Sequence, residues 1–236
     1  MCGLFGAIGQ NLNPGTIRAL ALANRARGTD SLGFFNGSGH CVKRANDPLT
    51  CLSDKDFAEF ITVSCRKGWF IAGHTRRATS GGITFRNAHP FRFGRIIGSH
   101  NGCVTPPLRS NYEVTSEYLL DSLNKANGDY QKAFVDIDGW WGLTWFDGDF
   151  LYLQAFDNEI CIGRDKYGNW YYSSDWKHLE ACTGSLCNIA RISDGVTIRF
   201  SPNVHEYERQ PTFVSSAWLP VSSKKHRKRR RHWEIY

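Results

Sequence analysis

The chain has 236 residues, of which 41% are hydrophobic and 22% charged, a composition that fits a globular protein and argues against disorder. No run of 18 apolar residues exists, so the sequence predicts no transmembrane helix. The start lacks the basic-then-apolar pattern of a signal peptide, and we expect a cytoplasmic protein. Residues 224–236 hold seven Lys/Arg and one Glu, which is +6 of the total net charge of +7. The remaining +1 on residues 1–223 does not support a uniformly basic nucleic-acid-binding face.

Alternating and helical patterns of apolar residues predict one continuous domain at residues 2–205, without repeats, followed by an extension at 206–236. Strands are predicted at residues 2–9, 32–35, 41–43, 69–73, 95–99, 141–147, 150–156, 159–164, 170–173, 188–191 and 196–200. Helices are predicted at residues 14–27, 54–64, 116–126, 129–137 and 175–181. Two β-rich groups separated by helices suggest two packed sheets with outer helices.

Eight cysteines without a secretory signal predict reduced thiols, most of them small buried side chains. No Cys-x-x-Cys pair occurs, so we expect neither a zinc site nor any other metal or cofactor. Cys2 is the exception among the thiols. If Met1 is removed, Cys2 gains a free α-amine with a pKa near ~8, which can serve as a base for its own thiol.

Two motifs carry basic residues. The sequence Arg-Ala-Arg-Gly-Thr-Asp at residues 25–30 is typical of a helix C-terminus, with Gly28 as a left-handed cap, although Asp30 can still lie near a site. The sequence Gly-His-Thr-Arg-Arg-Ala-Thr at residues 73–79 follows a strand. Its Arg76 is suited to hold a substrate carboxylate through two hydrogen bonds, and the alternative is a solvated loop arginine.

Two further motifs carry polar residues that serve either chemistry or packing. The first is Asn-Ala-His-Pro-Phe at residues 87–91. Considered without its context, a histidine such as His89 is more often a packed residue than a catalytic one. In Ser-His-Asn-Gly at residues 99–102, the Asn101 amide and the Gly102 N–H can form an oxyanion hole. The alternative for the second motif is an Asn-Gly turn.

Taken together, and in this order, the motifs resemble those of the class II glutamine amidotransferase domain, an N-terminal-nucleophile hydrolase. The matching stretches are Cys-Gly-Leu-Phe-Gly, Arg-Gly-Thr-Asp-Ser-Leu-Gly, Gly-His-Thr-Arg-Arg-Ala-Thr, Asn-Ala-His-Pro-Phe and His-Asn-Gly. The Gly-His-Thr-Arg form is more similar to the glucosamine-6-phosphate synthase and phosphoribosylpyrophosphate amidotransferase branches than to asparagine synthetase. The resemblance implies an α+β fold, the four-layer αββα sandwich of two packed antiparallel sheets.

The resemblance also implies a mechanism. Cys2 would attack the side-chain amide carbon of glutamine, with its own α-amine relaying the proton. Asn101 and Gly102 would stabilise the tetrahedral oxyanion. Ammonia would leave, and water would release glutamate from a γ-glutamyl thioester. Arg76 would hold the α-carboxylate of glutamine, and the same pocket would be lined by Thr79 and His89.

The substrate-binding motif departs from the family at one position. The family places an Asp before the helix to bind the α-ammonium of glutamine, whereas Thr115 stands here, within Val-Thr-Ser-Glu at residues 114–117. Loss of that carboxylate could cost about 1.5–3 kcal/mol, so free glutamine is expected to bind poorly unless Glu113 or Asp121 substitutes.

Three functions remain open from the sequence. The leading one is a glutaminase subunit that supplies ammonia to a separate synthase. The second is a hydrolase of another γ-glutamyl amide. The third is a non-catalytic scaffold whose basic tail binds nucleic acid, although the combination of Cys2, Arg76, Asn101 and Gly102 weighs against it. No membrane association is expected.

The basic tail gives a prediction of its own. Residues 224–232 contain almost no apolar side chain, so we expect disorder in the free protein and either a solubilising role or electrostatic binding of nucleic acid. Deletion of residues 224–236 should leave the fold and the Cys2 chemistry intact. Nucleic-acid binding by the full chain should weaken at least roughly tenfold between 50 and 200 mM salt and vanish on deletion, as measured by titration. Binding that survives deletion would place the contact on the folded domain.

Overall fold

A computed structural model describes residues 2–106, 111–184, 186–202 and 208–211 of the chain. The predicted tail at residues 224–232 lies outside the described residues. The strands are β1 Gly3–Ile8, β2 Ser31–Asn36, β3 Cys41–Arg44, β4 Phe70–Arg76, β5 Phe91–Phe93, β6 Ile96–Val104, β7 Gly139–Phe146, β8 Leu151–Phe156, β9 Cys161–Arg164, β10 Trp170–Ser173, β11 Cys187–Arg191, β12 Val196–Phe200 and β13 Glu208–Pro211. The helices are α1 Pro14–Asn24, α2 Pro48–Leu52, α3 Lys55–Lys67, α4 Thr115–Lys125, α5 Tyr130–Phe134 and α6 Trp176–Thr183.

The strands form two antiparallel sheets. One has seven strands in the order β11-β9-β10-β1-β4-β2-β3, and the other has six in the order β13-β12-β8-β7-β6-β5. The sequence-predicted architecture of two packed antiparallel sheets with outer helices is therefore confirmed. Because β1 lies between β10 and β4, the N-terminus of the chain enters the middle of the larger sheet.

Three apolar clusters separate the four layers, because each strand presents alternate residues to opposite faces. In β1, Phe5 and Ala7 pack towards α1, α2, α3 and α6, whereas Leu4 and Ile8 pack into the cluster between the sheets. Alternate residues of β7, including Trp141 and Trp145, pack against α4 and α5. The sheets thus lie face to face and carry helices on both outer sides.

Helix α1 begins as its sequence predicts. The Asn13 side chain accepts a hydrogen bond from the Gly15 N–H, and Pro14 occupies the first turn, where a missing N–H costs nothing. The helix ends at Asn24 and continues as one 3-10 turn at Arg25–Arg27. The interpretation of Gly28 as a left-handed cap is wrong, since its φ of −166° is extended.

Several boundaries and short elements differ from the sequence prediction. Strands β4 and β6 run on through the polar motifs to Arg76 and Val104, because pairing with neighbouring strands continues there. The local sequence patterns did not predict the short elements α2 and β5. Strand β13 pairs with β12 beyond residue 205, and its sequence offers too few apolar residues to have been recognised.

The cysteines only partly follow expectation. The seven cysteines whose side chains the structure describes are free thiols. Cys51, Cys65 and Cys161 are buried, whereas Cys41 and Cys103 are exposed. Cys182 is half-buried and packs against the same helix-side cluster as the three buried thiols, so four of the six described thiol side chains other than Cys2 agree with the prediction. Among the described helices, none is long and apolar enough to cross a membrane.

The cluster between the sheets supplies a stability prediction. Phe70 is fully buried there and contacts the rings of Phe35 and Phe146 edge-on. Phe70→Ala should lower the free energy of unfolding by about 3–5 kcal/mol, because it removes this contact area and leaves a cavity. Urea titration would measure the loss, with Leu49→Ala as the control, since Leu49 is 56% exposed. Equal effects of the two substitutions would contradict this account of the core.

Candidate active site

Cys2 directly precedes β1 and therefore lies at one end of the larger sheet. In the β1–β4 register Gly3 pairs with Thr75, which brings Cys2 beside Arg76 at the end of β4. A Cβ on Gly3 would come within 2.6 Å of the Asn24 and Thr75 side chains. Glycine at position 3 is thus needed for the chain start to pack this closely.

The thiol of Cys2 is half-buried and accepts a hydrogen bond from the Arg77 N–H, with 3.3 Å between sulfur and nitrogen. Burial raises the pKa of this thiol, while that hydrogen bond and the positive charges of Arg76 and Arg27 act in the opposite direction. Since the raised pKa leaves the thiol mostly protonated at neutral pH, nucleophilic attack by this sulfur needs a base.

The carbonyl oxygen of Cys2 joins the two sheets. It accepts one hydrogen bond from Asn101 Nδ2 at 2.8 Å and another from Arg27 Nε at 2.8 Å. Asn101 lies in β6 of the smaller sheet and is 4% exposed. Asn101 and Gly102 therefore lie within a strand, directly across from the chain start, and the interpretation of this motif as a turn is wrong.

Contacts with the Cys2 carbonyl and with His74 fix the orientation of the Asn101 amide. The Cys2 carbonyl can only accept, so Asn101 turns its Nδ2 to Cys2 and its Oδ1 to His74 Nε2, 2.9 Å away. His74 is fully buried, and burial lowers its pKa to about 3. The neutral ring must then carry its proton on Nε2 to donate to Asn101.

Two more histidines are buried beside His74. The His89 ring lies with its centroid 3.9 Å from that of His74, and its two nitrogens have no hydrogen-bond partner among the described residues. His100 Nδ1 lies 2.9 Å from Ser116 Oγ. Burial lowers the pKa of His100 to about 3 and that of His89 well below its ordinary value. All three rings are therefore neutral at pH 7.

The two substrate contacts predicted near the end of β4 differ in burial: Arg76, the last residue of β4, is buried, whereas Thr79 is exposed. Arg76 is 4% exposed, and its guanidinium donates to the carbonyl oxygens of Ser80 at 2.6 Å and Gly82 at 3.0 Å. A guanidinium has five N–H donors, so these two bonds leave donors for a carboxylate. Thr79 is exposed in the same loop.

The motif at residues 28–30 holds the backbone of residues 76–78, which includes the N–H group that donates to the Cys2 thiol. The Asp30 N–H donates to the Arg76 carbonyl at 2.9 Å, and the Asp30 carboxylate accepts from the Ala78 N–H at 2.7 Å. A Cβ on Gly28 would collide with the Arg76 carbonyl carbon. Gly28 and Asp30 thus support the site through packing and backbone bonds.

The start of α4 contains the departure from the family pattern. Thr115 is half-buried in the first turn, and the buried Glu117 accepts hydrogen bonds from the N–H groups of Glu113 and Val114. Asp121 is engaged with the Tyr112 hydroxyl at 2.5 Å and with Lys125 at 2.8 Å. Asp121, one of the two predicted substitutes, is therefore already paired.

Sequence reasoning missed His74 and Arg27 as site residues. Each acts through a contact between segments far apart in the chain, 27 residues for His74–Asn101 and 25 for Arg27–Cys2. Their motifs were visible, but no local pattern assigns such partners. Among the described residues, no group of three or more His, Cys, Asp or Glu side chains is arranged to hold a metal ion.

No protein-family model matches this chain. Among curated proteins, it is 36% identical over 133 residues to a glutamine–fructose-6-phosphate aminotransferase of Mycobacterium leprae, a match that covers 52% of this chain and 21% of the relative. It is 30% identical over 182 residues to the protein of that name from Streptococcus pyogenes serotype M6, and this match covers 71% of this chain and 26% of the relative. The chain thus spans only about a quarter of these relatives or less.

Solved structures share the fold. The glutamine phosphoribosylpyrophosphate amidotransferase of Bacillus subtilis aligns with a TM-score of 0.68 at 14% identity, covering 90% of this chain and 49% of that one. An allosteric regulatory enzyme of purine biosynthesis aligns with a TM-score of 0.72 at 15% identity over the same shares. A glutamine aminotransferase class-II domain protein from Silicibacter pomeroyi aligns with a TM-score of 0.54 at 12% identity, covering 89% of this chain and 99% of that one.

The charges around Cys2 give a pH prediction. Arg76→Gln removes a positive charge that lowers the pKa of the Cys2 thiol, so less thiolate forms at a given pH. The pH profile of Cys2 alkylation by iodoacetamide, followed by peptide mass spectrometry, should therefore move to higher pH. Arg66→Gln, at an exposed position in the last turn of α3, should leave the profile in place. A shift to lower pH in Arg76→Gln would contradict the assigned electrostatics.

Proposed function

The chain is a homologue of the class II glutamine amidotransferases, and from that premise we propose that it hydrolyses the side-chain amide of glutamine through Cys2. The observation that carries this proposal is the 2.8 Å hydrogen bond from Asn101 Nδ2 to the Cys2 carbonyl oxygen. This bond supports the proposal because an amide donor next to Cys2, the proposed nucleophile, lies where an oxyanion hole is needed.

The proposed reaction begins with removal of Met1, which frees the α-amine of Cys2. This amine takes the thiol proton, a step that the raised pKa of the buried thiol makes necessary. The sulfur attacks the amide carbon, and the oxyanion forms against Asn101 Nδ2 and the Gly102 N–H. The amine returns the proton to the leaving nitrogen, ammonia departs, and water hydrolyses the γ-glutamyl thioester.

The proposed substrate contacts are Arg76 for the α-carboxylate, with Thr79 and His89 in the same pocket. The burial of Arg76 supports its role, because a desolvated guanidinium binds a carboxylate more strongly than an exposed one. The neutral rings of His74 and His89 add no positive charge that would compete with Arg76 for the carboxylate.

The proposed acceptor of ammonia is a synthase on a separate subunit. The predicted basic tail at residues 224–232 is proposed as a second binding site, for a partner such as nucleic acid. A scaffold without catalysis has no need for the buried contacts among Cys2, Asn101 and His74, which favours the enzymatic proposal over the binding one.

The oxyanion assignment predicts a specific kinetic change. Asn101→Ala should lower kcat for amide hydrolysis by about 10²–10³ with a modest change in KM, because the lost hydrogen bond strengthens in the transition state. Glutamate release would be measured at saturating and limiting glutamine. Asn111→Ala, at an exposed position before α4, is the control. Full turnover by Asn101→Ala would show that the oxyanion lies elsewhere.

Thr115 favours a second candidate, hydrolysis of a γ-glutamyl amide without a free α-ammonium. Thr115 brings a hydroxyl where the family has a carboxylate. The nearby Glu117 accepts from two backbone N–H groups and faces Arg86 at 3.8 Å. These contacts already use the Glu117 carboxylate, so it is not free to bind an α-ammonium. A substrate without an α-ammonium would therefore lose less binding free energy at this position than glutamine.

The two candidates differ in their response to Thr115→Asp. If the missing carboxylate limits glutamine use, this substitution should raise kcat/KM for glutamine and raise it less for an N-acylated glutamine. Both substrates would be assayed by ammonia release. Thr115→Asn, which matches the shape of Asp without its charge, is the control. An equal change for the two substrates would refute a role for position 115 in ammonium binding.

A further inference from the structure

Asn158 contacts the backbone of the candidate oxyanion hole from the turn between β8 and β9. Here the chain crosses from the smaller sheet to the larger one. The Asn158 side chain is half-buried, and its Nδ2 donates to the Asn101 carbonyl oxygen at 2.9 Å. The two residues lie 57 positions apart, so no local sequence pattern pairs them.

The turn itself holds the Asn158 amide in this orientation. Asn158 Oδ1 accepts a hydrogen bond from the Glu159 N–H at 2.8 Å, which leaves Nδ2 to face the Asn101 carbonyl. Asp157 adopts a φ of 45°, and its N–H donates to Asp194 Oδ1 at 3.1 Å. The donor is therefore fixed by contacts on both sides of it.

The bonded carbonyl and the Gly102 N–H belong to one peptide group. A trans peptide is planar, and its C=O and N–H point in opposite directions. A hydrogen bond that fixes the Asn101 carbonyl oxygen therefore also fixes the direction of the Gly102 N–H. His74 holds the other proposed donor, the Asn101 side-chain amide, in a comparable way.

We propose that Asn158 is a positioning residue that aims the Gly102 N–H at the oxyanion. This inference rests on the proposed function. Asn158 does not touch the substrate; it acts through the Asn101–Gly102 peptide. A misplaced donor loses most of its transition-state stabilisation, and small errors of placement can cost up to about 10²-fold in rate.

Asn158→Asp tests the proposal with little change in shape. The carboxylate keeps an acceptor for the Glu159 N–H but has no proton to donate to the Asn101 carbonyl. Asn158→Asp should lower kcat by about 10- to 100-fold with KM changed less than about threefold. As pH falls and the new carboxyl takes up a proton, its O–H can donate again, so the activity relative to the parent should recover.

Two further variants distinguish a loss of positioning from the effects of an added charge or of a destabilised fold. Asn46 is exposed, and its Oδ1 also accepts from the N–H of the next residue, so Asn46→Asp introduces the same change away from the site and should keep the parent kcat. Asn158→Ala is neutral and should share the loss of kcat, without the recovery at low pH. Melting temperatures of all variants would show whether the fold is retained.

The amide resonance of Gly102 provides a readout that does not need turnover. In 15N-labelled protein it should move in Asn158→Asp and Asn158→Ala and stay in place in Asn46→Asp. An unmoved resonance overturns the inference, as does an unchanged kcat or a fall in kcat that only follows the melting temperature. A parent without activity on any γ-glutamyl amide refutes the proposed function and, with it, the oxyanion role, while the resonance still decides whether Asn158 orients this peptide.

Discussion

The bond between the Asn101 side chain and the Cys2 carbonyl is the contact on which the site depends. It is made across the two sheets, so it forms only when the larger sheet packs against the smaller one. The cluster between the sheets sets their separation, and this cluster includes Leu4, two residues from Cys2. The geometry of the site is thus a consequence of how the domain core packs.

Burial gives the site its electrostatic character. His74, His89 and His100 are neutral because they are buried, so the side chains whose positive charge lowers the pKa of the Cys2 thiol are Arg76 and Arg27. The Cys2 carbonyl sets the orientation of the Asn101 amide, and the neutral His74 ring then donates from Nε2 to the Asn101 Oδ1. A charged ring would be unfavourable in this interior, where the charged form loses its hydration.

Sequence patterns predicted the elements whose signals are local. Alternation predicted β1, and apolar residues at helical spacing predicted α1. The family resemblance and the sandwich fold, which rested on several motifs in a fixed order, were confirmed. The roles proposed for Cys2 and its partners stay predictions.

What the sequence could not predict are contacts between distant segments. Asn101-Gly102 has the composition of a turn, and only pairing with β7 makes it part of a strand. Gly28 was interpreted as a helix cap, whereas its lack of a side chain serves packing against Arg76. Neither Arg27 nor Asn158 has a local feature that marks it as a partner of the site.

The proposed reaction requires a covalent acyl intermediate on Cys2. The most direct measurement is intact-protein mass spectrometry after rapid mixing with glutamine and acid quenching, followed by mapping of the modified peptide. If Cys2 is the nucleophile, the protein should begin at Cys2, and a fraction of it should be heavier by one γ-glutamyl group located on that residue. Release of glutamate by Cys2→Ala protein at the parent rate, with no adduct on Cys2 in the parent, would contradict it.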